Sequence, residues 1–348
     1  MIKGDFRSDN VAGVSAEIMA ALAAANTGTM ASYGKDAISA AVDARFSAVF
    51  GRPAKVFPVS TGTAANALSL AACLRPYGAV YCQEEAHIET SEGGAVVAFS
   101  GGGTLMPLRG DGHRLDPEEL RAALAGAPRG NPMKPQPDVV TVTQAAEHGV
   151  VYRLETLRRI GEVAREAGIL FHMDGARFAN ALATLDCTAA EMTEGVDILS
   201  FGATKNGAMN TEAIVVFRPD LMEPLAFRLR RAGQTWSKMR FAATQLLAYV
   251  EDDLYLRLAR AANGLASRLA LGLSAIPGAA LMAEVEANIV FAVLPPALID
   301  RLAAEGFLFN RRTPDTIRLV CRFDGRAEEV DALVEAVARL LDRRIQAA

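Results

Sequence analysis

The chain has 348 residues, of which 51% are apolar and 22% charged, so it can fill a large hydrophobic core and is not mainly disordered. At about 150 residues per domain, this length suggests about two domains. The net charge is −4, from 36 basic and 40 acidic residues, and no long basic run stands out. Binding to a nucleic-acid backbone is therefore not expected.

The cysteines and histidines show no pattern typical of a disulfide framework or a metal site. Cysteines lie singly at Cys73, Cys82, Cys187 and Cys321, and the four histidines form no H-x-x-x-H pair. The N-terminus has no apolar leader, and no run of about 18 apolar residues could span a bilayer. We therefore expect a cytoplasmic protein without a structural metal or a membrane partner.

Short apolar runs alternate with helical stretches from about residue 55 to residue 217. Several runs are continuously apolar, which favours strands buried on both faces of a sheet. Helix signals lie between them, such as Asp116 before Pro117, and Gly168 after a helical pattern over Leu154–Ala167. The alternation predicts an α/β domain with a mainly parallel sheet. The predicted strands are Lys55–Val59, Ala79–Tyr81, Leu105–Leu108, Val139–Thr143, Ile169–Met173, Ile198–Phe201 and Ala213–Phe217.

The pattern changes after Phe217. A helix-prone stretch runs from Leu221 to Leu271, broken near Gly233, and a smaller α+β layer follows it. We therefore predict an N-terminal segment (1–20), a large domain (21–250) and a small C-terminal domain (251–348). The small layer contains a strand at Ile289–Val293, a helix at Ala297–Glu305, a strand at Thr316–Val320 and a helix at Ala327–Ile345.

A candidate phosphate site follows the first predicted strand. The segment Ser60-Thr61-Gly62-Thr63-Ala64-Ala65-Asn66 opens an alanine-rich helix with small hydroxyl residues and a glycine. Free N–H groups at such a helix start suit a phosphate. The segment matches neither of the common nucleotide-binding patterns, and a plain Ser/Thr-capped helix is the competing interpretation.

Two charged residues follow later predicted strands. Asp174 ends the strand that begins at Ile169, where a carboxylate needs a cationic partner, and Lys205 follows the strand Ile198–Phe201 among small residues. Asp174 could instead cap a helix or pair with Arg177, and Lys205 could be a solvated loop lysine. The 31 positions between Asp174 and Lys205 leave room for a crossover helix around Thr188–Glu194, which brings both side chains to one sheet edge.

The candidate phosphate site, the acid at the end of a strand (Asp174) and the lysine among small residues (Lys205) are together the groups that bind pyridoxal 5'-phosphate. The lysine would bind the cofactor aldehyde as a Schiff base, and the acid would keep the pyridine nitrogen protonated.

The sequence resembles the low-specificity L-threonine aldolases, which are fold type I (aspartate-aminotransferase-like) pyridoxal-phosphate enzymes. The resemblance covers nearly the whole chain. It includes the motifs Phe6-Arg7-Ser8-Asp9-Asn10, Tyr33-Gly34, Ser60 to Asn66, Glu85-Ala86-His87-Ile88, His172-Met173-Asp174-Gly175-Ala176-Arg177 and Ser200-Phe201-Gly202-Ala203-Thr204-Lys205-Asn206-Gly207.

The resemblance implies roles for individual residues. Lys205 would carry the cofactor, Asp174 would face its pyridine nitrogen, Gly62 and Thr63 would bind its phosphate, and His87 would lie over its ring. His87 would otherwise read as a surface loop histidine.

The remaining roles that the resemblance implies concern the substrate and a neighbouring subunit. Ser8, Arg177 and Arg322 would bind the substrate carboxylate, and Arg177 would also reach the cofactor. Without the resemblance, Arg322 reads as an ordinary surface arginine. Tyr33 and Arg240 would reach into the active site of a neighbouring subunit. The resemblance implies a homotetramer whose minimal active unit is a dimer.

The implied reaction is the cleavage of L-threonine or L-allo-threonine, or of another β-hydroxy-α-amino acid, to glycine and an aldehyde. The proton acceptor, His87 or a water, stays open. One alternative is another fold type I enzyme, such as a β-eliminating lyase, a phenylserine aldolase or an aminotransferase. The others are a ligand-binding sensor and a scaffold.

The chain departs from the family pattern before the strand at Val139. Many relatives carry a histidine there, but the segment Asn131-Pro132-Met133-Lys134-Pro135-Gln136-Pro137 contains none. The preference between threonine and allo-threonine, and the size of the substrate side chain that the enzyme accepts, therefore stay open.

Overall fold

A computed structural model describes residues 2–345 of the chain. The strands are β1 (Gly4–Asp5), β2 (Lys55–Val59), β3 (Gly78–Gln83), β4 (Thr104–Leu108), β5 (Gly110–Asp111), β6 (Arg114–Leu115), β7 (Gln136–Thr143), β8 (Leu170–Gly175), β9 (Ile198–Phe201), β10 (Glu212–Val216), β11 (Ala280–Leu281), β12 (Ile289–Val293), β13 (Phe307–Leu308), β14 (Asn310–Arg311) and β15 (Thr316–Val320).

The α-helices are α1 (Ala16–Ala25), α2 (Ala37–Phe50), α3 (Gly62–Cys73), α4 (His87–Thr90), α5 (Ala95–Ser100), α6 (Pro117–Ala125), α7 (Leu154–Ala167), α8 (Phe178–Leu185), α9 (Ala189–Met192), α10 (Met222–Arg231), α11 (Arg240–Val250), α12 (Leu254–Ser274), α13 (Pro296–Ala304) and α14 (Ala327–Ile345). Short 3-10 helices cover Asp9–Val11, Thr204–Asn206, Pro219–Leu221 and Glu251–Asp253. No helix in this part of the chain is long and apolar enough to cross a membrane.

The central sheet is mainly parallel. Within residues 2–345 it has seven strands in the order β2-β10-β9-β8-β7-β3-β4, and β10 runs antiparallel to both of its neighbours. The strands β3, β4, β7, β8 and β9 run in one direction, so their carboxyl ends lie along one edge. In such sheets, ligands bind at that edge.

Helices cover both faces of this sheet, as its apolar strands require. One core contains Phe171 and Phe201 of the sheet together with Phe46 of α2, Leu157 of α7 and Phe178 of α8. A second core, on the other face, contains Leu68 and Leu70 of α3 together with Val80 and Ile214. Because both faces are buried, the strands carry continuous apolar runs rather than an alternating pattern.

A smaller antiparallel sheet lies near the C-terminus. Among the described residues its order is β11-β12-β15-β14, and its core includes Val290, Leu319 and Leu333. The N-terminus joins this core, because β1 pairs with β13 and Phe6 is buried there. Helix α12 reaches both parts of the molecule: Ala259 lies in the large core and Ala266 in the small one.

The predicted strands Lys55–Val59, Ile198–Phe201, Ile289–Val293 and Thr316–Val320 match the structure end to end. The strand predicted at Ile169–Met173 instead runs from Leu170 to Gly175, because Asp174 pairs in register with Thr143 and Ser200. The helix-prone stretch from Leu221 is interrupted twice, around Gly233 and at Glu251–Asp253, where Asp252 and Asp253 have positive φ.

The crossover between β8 and β9 also differs from the prediction. Its main helix is α8, which begins directly after Arg177, and the predicted region around Thr188–Glu194 contains only the short helix α9. The capping box of Thr188 and Glu191 starts α9 as the residue types favour, but a turn over Thr193–Gly195 ends the helix after four residues.

Candidate active site

A cavity of about 300 Å³ opens at the carboxyl edge of the central sheet. It lies where the segments that follow β2, β3, β7, β8 and β9 meet, as the predicted parallel sheet requires. Its lining includes the predicted residues Gly62, Thr63, His87, Asp174, Arg177 and Lys205.

The first turn of α3 forms one wall of the cavity. The side chain of the N-cap Thr61 accepts a hydrogen bond from the Ala64 backbone N–H (3.1 Å), and Gly62 and Thr63 follow it as the first helical residues. Their N–H groups have no partner within a helix, and α3 is twelve residues long, so its dipole favours an anion at this end.

Asp174 lies inside the cavity wall and is only 3% exposed. Its carboxylate accepts a hydrogen bond from Asn66 Nδ2 (2.8 Å) and one from the Ala176 backbone N–H (3.0 Å). Both donors are neutral N–H groups. The negative charge of Asp174 is therefore stabilised by dipoles, and no cation is hydrogen-bonded to it within residues 2–345. A buried carboxylate of this kind favours a cationic ligand.

The strands behind Asp174 are held together by His172. Its ring is fully buried between Thr141 (2.7 Å) and Ser200 (3.0 Å), and burial lowers its pKa to about 4. A neutral imidazole therefore joins β7, β8 and β9 and keeps the position of Asp174 fixed.

Lys205 lies on a tightly held loop after β9. The buried carboxylate of Glu212 accepts hydrogen bonds from the backbone N–H groups of Ala203 (2.5 Å) and Thr204 (3.3 Å). Asn206 donates to the Tyr249 hydroxyl (2.8 Å) on the other side of the lysine. Within the described residues, the Lys205 ammonium makes no hydrogen bond, so its amine is presented to the cavity.

His87 is the first residue of α4, and its ring contacts the cavity. Its Nδ1 lies 2.8 Å from the buried Glu92 carboxylate, and this hydrogen bond raises the pKa of His87. The same Glu92 oxygen accepts from Asn66 Nδ2 (2.8 Å), which also bonds Asp174. A single polar network therefore orients His87 and Asp174 together.

Arg177 is held by a buried ion pair. Its Nε and Nη2 donate to the two carboxylate oxygens of Asp9, at 2.8 and 3.1 Å, and Asn288 donates to the same carboxylate at 3.1 Å. Burial opposes ionisation of Asp9, but Arg177 and Lys205 outweigh it and lower the Asp9 pKa. Within the described residues, Nη1 of Arg177 has no hydrogen-bond partner and is left for a ligand.

The structure does not bring Ser8 and Arg322 to the cavity lining. The Ser8 hydroxyl caps the 3-10 helix that starts at Asp9, and the next residue but one, Asn10, lines the cavity instead. The Arg322 guanidinium bonds Asp324 at 2.9 Å and the backbone oxygen of Asp5, and it lies 3.8 Å from Glu329. Its donors are therefore used within the small domain.

Arg318, on β15, lies among charged residues of the site. Burial, with a contribution from Arg177, lowers the pKa of Arg318 to about 10, and the charges of Asp9 and Glu147 also affect it. Its side chain makes no hydrogen bond within residues 2–345. Arg318 does not line the cavity itself, but Arg177 and Glu147 beside it do.

Tyr33 and Arg240 also lie away from this cavity. Tyr33 is 47% exposed, and the guanidinium of Arg230 lies 5.2 Å from the centre of its ring. Arg240 starts α11, and one of its nitrogens lies 3.5 Å from the Gly28 backbone oxygen. Neither residue lines the cavity of its own chain.

Residues without a predicted role complete the site: Asp9, Asn66, Glu92, Glu147, Glu212 and Arg318. Burial raises the pKa of Glu147 and of Glu212, and both carboxylates line the cavity. Asn66 shares the first two turns of α3 with Gly62, and this spacing could have indicated it. Glu92 bonds the nearby His87 but reaches Asn66 from 26 positions away, and Asp9 joins the site through Arg177, 168 positions along the chain. The sequence has no local signal for these longer contacts.

The cavity fits pyridoxal phosphate on its own chemistry. The start of α3 offers N–H groups to a phosphate, Asp174 offers a buried carboxylate to a protonated ring nitrogen, and Lys205 offers an amine to an aldehyde. Asn66 Oδ1 and Glu92 Oε2 are buried beside these groups with no hydrogen-bond partner among the described residues. Such atoms favour further polar partners in the cavity.

Comparison with known proteins identifies the family of this chain. A family model described as beta-eliminating lyase matches residues 5–295. The chain is 41% identical over 335 residues to the low specificity L-threonine aldolase of Pseudomonas aeruginosa, which covers 95% of this chain and 96% of that protein.

Solved structures support the fold. A threonine aldolase from Leishmania major superposes with a TM-score of 0.92 at 26% identity, over 97% of this chain and 99% of that one. An aspartate aminotransferase from Rhodobacter sphaeroides has a TM-score of 0.67 at 17% identity, over 97% and 93%, and shows the shared fold alone. The predicted α/β fold type I architecture is confirmed, and the chain belongs to the beta-eliminating lyase family and, within it, to the low-specificity L-threonine aldolases.

Proposed function

We propose that this protein is a pyridoxal-phosphate-dependent aldolase that cleaves L-threonine and L-allo-threonine to glycine and acetaldehyde. The observation that carries the proposal is the convergence of Lys205, Asp174 and the start of α3 on one cavity. When bound, the cofactor supplies an aldehyde for the substrate amine and a ring that accepts the electron pair of the broken Cα–Cβ bond.

The residues of this chain would hold and orient the reacting groups. Lys205 would hold the cofactor aldehyde through its amine. Asp174 would keep the ring nitrogen protonated, and Gly62 and Thr63 would hold the phosphate. His87 Nδ1 is held by Glu92, and its Nε2 has no hydrogen-bond partner among the described residues. Nε2 would exchange a proton with the β-hydroxyl directly or through a water.

We further propose that Arg177 and Arg318, rather than Arg322, bind the substrate carboxylate. Arg177 keeps one nitrogen free of Asp9, and Arg318 is a partly buried cation without a side-chain hydrogen bond among the described residues. Two guanidinium groups beside a partly desolvated cavity favour a planar carboxylate.

Aldehyde detection on purified holoenzyme tests the proposed activity. L-threonine should yield glycine and acetaldehyde in equal amounts, and phenylserine should yield benzaldehyde. Release of ammonia with a keto acid would support a β-eliminating lyase instead, and transfer of the amino group to a keto acid would support an aminotransferase. Failure to cleave threonine, allo-threonine and phenylserine would reject the aldolase assignment.

Replacing Arg318 by methionine should lower kcat/KM for threonine about 10- to 100-fold, because a hydrogen bond to a charged group contributes about 1.5–3 kcal/mol. The effect should fall mainly on KM, and the visible spectrum of the bound cofactor should stay unchanged. Steady-state kinetics and absorbance measure both.

The matched control is Arg322→Met, which removes the same charge two residues beyond β15. Its contacts to Asp5 and Asp324 stabilise the small domain, so we expect reduced thermal stability but a kcat/KM within about threefold of the parent. If Arg322→Met lowered kcat/KM more than Arg318→Met did, Arg322 would be the residue that binds the substrate carboxylate.

We also propose a homotetramer in which Tyr33 and Arg240 reach a neighbouring subunit's site. The proposal is supported by two observations: neither residue lines the cavity of its own chain, and the Arg240 Nε is buried without a partner among the described residues. Arg240 would contact the cofactor phosphate across the interface.

Subunit mixing tests this sharing. Lys205→Met and Arg240→Leu chains should each be nearly inactive alone. After dissociation and reassembly in equal amounts, half of the dimers are hybrids with one complete site each, so activity should return to about a quarter of the parent value. Light scattering gives the assembly size. No recovery in hybrids that are shown to form would place Arg240 outside its neighbour's site.

A further inference from the structure

A cluster of two histidines and one glutamate lies beside the active-site cavity and outside its lining. His113 Nδ1 is 2.6 Å from Glu85 Oε2, and His148 Nε2 is 3.3 Å from Glu85 Oε1. The two imidazole rings stack with their centres 3.6 Å apart, 8° from parallel. All three ligand atoms lie within 4.8 Å of one another.

Three separate segments supply these side chains. Glu85 follows β3, His113 occupies the turn between β5 and β6, and His148 follows β7. His113 has φ of 64°, a left-handed conformation that non-glycine residues seldom adopt. The sequence predicted no metal site because these residues form no short-range spacing pattern, and only the fold brings them together.

We propose that Glu85, His113 and His148 form a binding site for a zinc-type divalent cation. Two imidazole nitrogens and one carboxylate oxygen are the donors of a three-ligand zinc site, with the fourth position left to water. Magnesium and calcium prefer oxygen ligands, so this set favours Zn²⁺, Co²⁺ or Ni²⁺.

The distances suit such an ion after a small adjustment. Zinc–ligand bonds of about 2.0–2.1 Å in a tetrahedron place neighbouring ligand atoms about 3.3 Å apart. The His148–Glu85 pair already has this spacing, whereas the His113–Glu85 pair must open and the stacked rings must tilt. The His113 and Glu85 side chains are 27% and 41% exposed, so both have room to move.

The ion would connect parts of the fold that border the cavity. His148 follows Glu147, which lines the cavity, and Glu85 lies two residues before His87. Phe291 of β12 stacks on the His148 ring with 4.7 Å between ring centres. A bound cation would therefore link the β5–β6 turn to the loops that follow β3 and β7. Because it binds only the folded protein, it should raise the melting temperature.

Metal titration of the chelator-treated, desalted holoenzyme tests the proposal without reference to activity. Calorimetry with zinc chloride should show one equivalent per chain, with a Kd below about 10 μM. Cobalt chloride should add visible d–d absorption at longer wavelength than the cofactor band. Amino acids are left out because they chelate both ions.

Single substitutions decide whether the binding belongs to this cluster. His113→Asn and His148→Gln should each weaken zinc binding by at least about tenfold and abolish the cobalt band. Asparagine tolerates a positive φ, so His113→Asn should fold even if the loss of stacking on Phe291 destabilises His148→Gln. Glu84→Gln removes an exposed acid next to Glu85 and should leave binding unchanged.

Absence of saturable one-equivalent binding to the parent protein would overturn the proposal. Binding of equal strength in the folded His113→Asn variant would also overturn it, because the ion would then lie elsewhere.

Discussion

Replacing Lys205 by methionine should abolish aldehyde release from threonine, with a loss of at least about 10⁴-fold in kcat. Lys205 is the amine that the loop after β9 presents to the cavity, and Glu212 and Asn206 hold that loop from both sides. Methionine has nearly the same length but no nucleophile, so the cofactor could bind only through non-covalent contacts. The visible absorbance of the covalently bound cofactor should therefore disappear.

Borohydride treatment gives the corresponding structural measurement. In the parent protein it should fix the cofactor to the peptide that contains Lys205, as mass spectrometry would show, and in Lys205→Met it should fix none. Lys134→Met is the matched control, because Lys134 is an exposed residue of the loop before β7 and does not line the cavity. Cofactor fixed at another lysine of the parent, or full activity in Lys205→Met, would contradict this assignment.

Replacing Asp174 by asparagine should lower kcat by about 100- to 1,000-fold and weaken cofactor binding. The carboxylate accepts hydrogen bonds from Asn66 Nδ2 and the Ala176 N–H, so an amide would point its NH₂ group at one of these donors. The cofactor ring would also lose its anionic partner, and removing one member of a buried ion pair costs about 3–5 kcal/mol. Cofactor titration and single-turnover kinetics measure the two effects.

Asp138→Asn provides a control of the same chemistry outside the site. Asp138 lies on β7, its side chain is 7% exposed, and it is paired with Arg75. This variant should lose stability but keep the parent's cofactor affinity and kcat. If Asp174→Asn only lowered the melting temperature, as Asp138→Asn is expected to do, Asp174 would be a structural residue and not a partner of the cofactor.

Much of the fold was predictable because its signals are local. The strands at Lys55–Val59 and Ile198–Phe201 are short apolar runs ended by small or polar residues, and α7 ends at Gly168, which adopts the left-handed conformation. The alternation of such runs with helices leaves few topologies other than a parallel sheet. Short elements such as β1 and β13 had no such signal, since each is only two residues long and is stabilised by the other.

The candidate site was predictable only in part, for the same reason. Asp174 and Lys205 each follow a recognisable strand, and parallel strands bring their ends to one edge. By contrast, the ion pair of Arg177 with Asp9 joins residues 168 positions apart, and the network of Glu92 joins α3 to α4. The family resemblance implied a substrate role for Arg322. In the structure the Arg322 guanidinium bonds Asp324 and the Asp5 backbone oxygen, whereas Arg318 lies among the charges of Asp9, Arg177 and Glu147.

The sequence by itself determined the α/β architecture, the sheet edge at which a ligand binds, and the lysine, acid and helix start that suit pyridoxal phosphate. Hydrophobic periodicity and residue type act over a few neighbouring positions, so they can be read along the chain. What pairs with Arg177, what orients His87, and how Glu85, His113 and His148 meet were decided only by the tertiary structure. These contacts depend on the packing of distant segments, and their free energy is gained only when the whole domain closes around them.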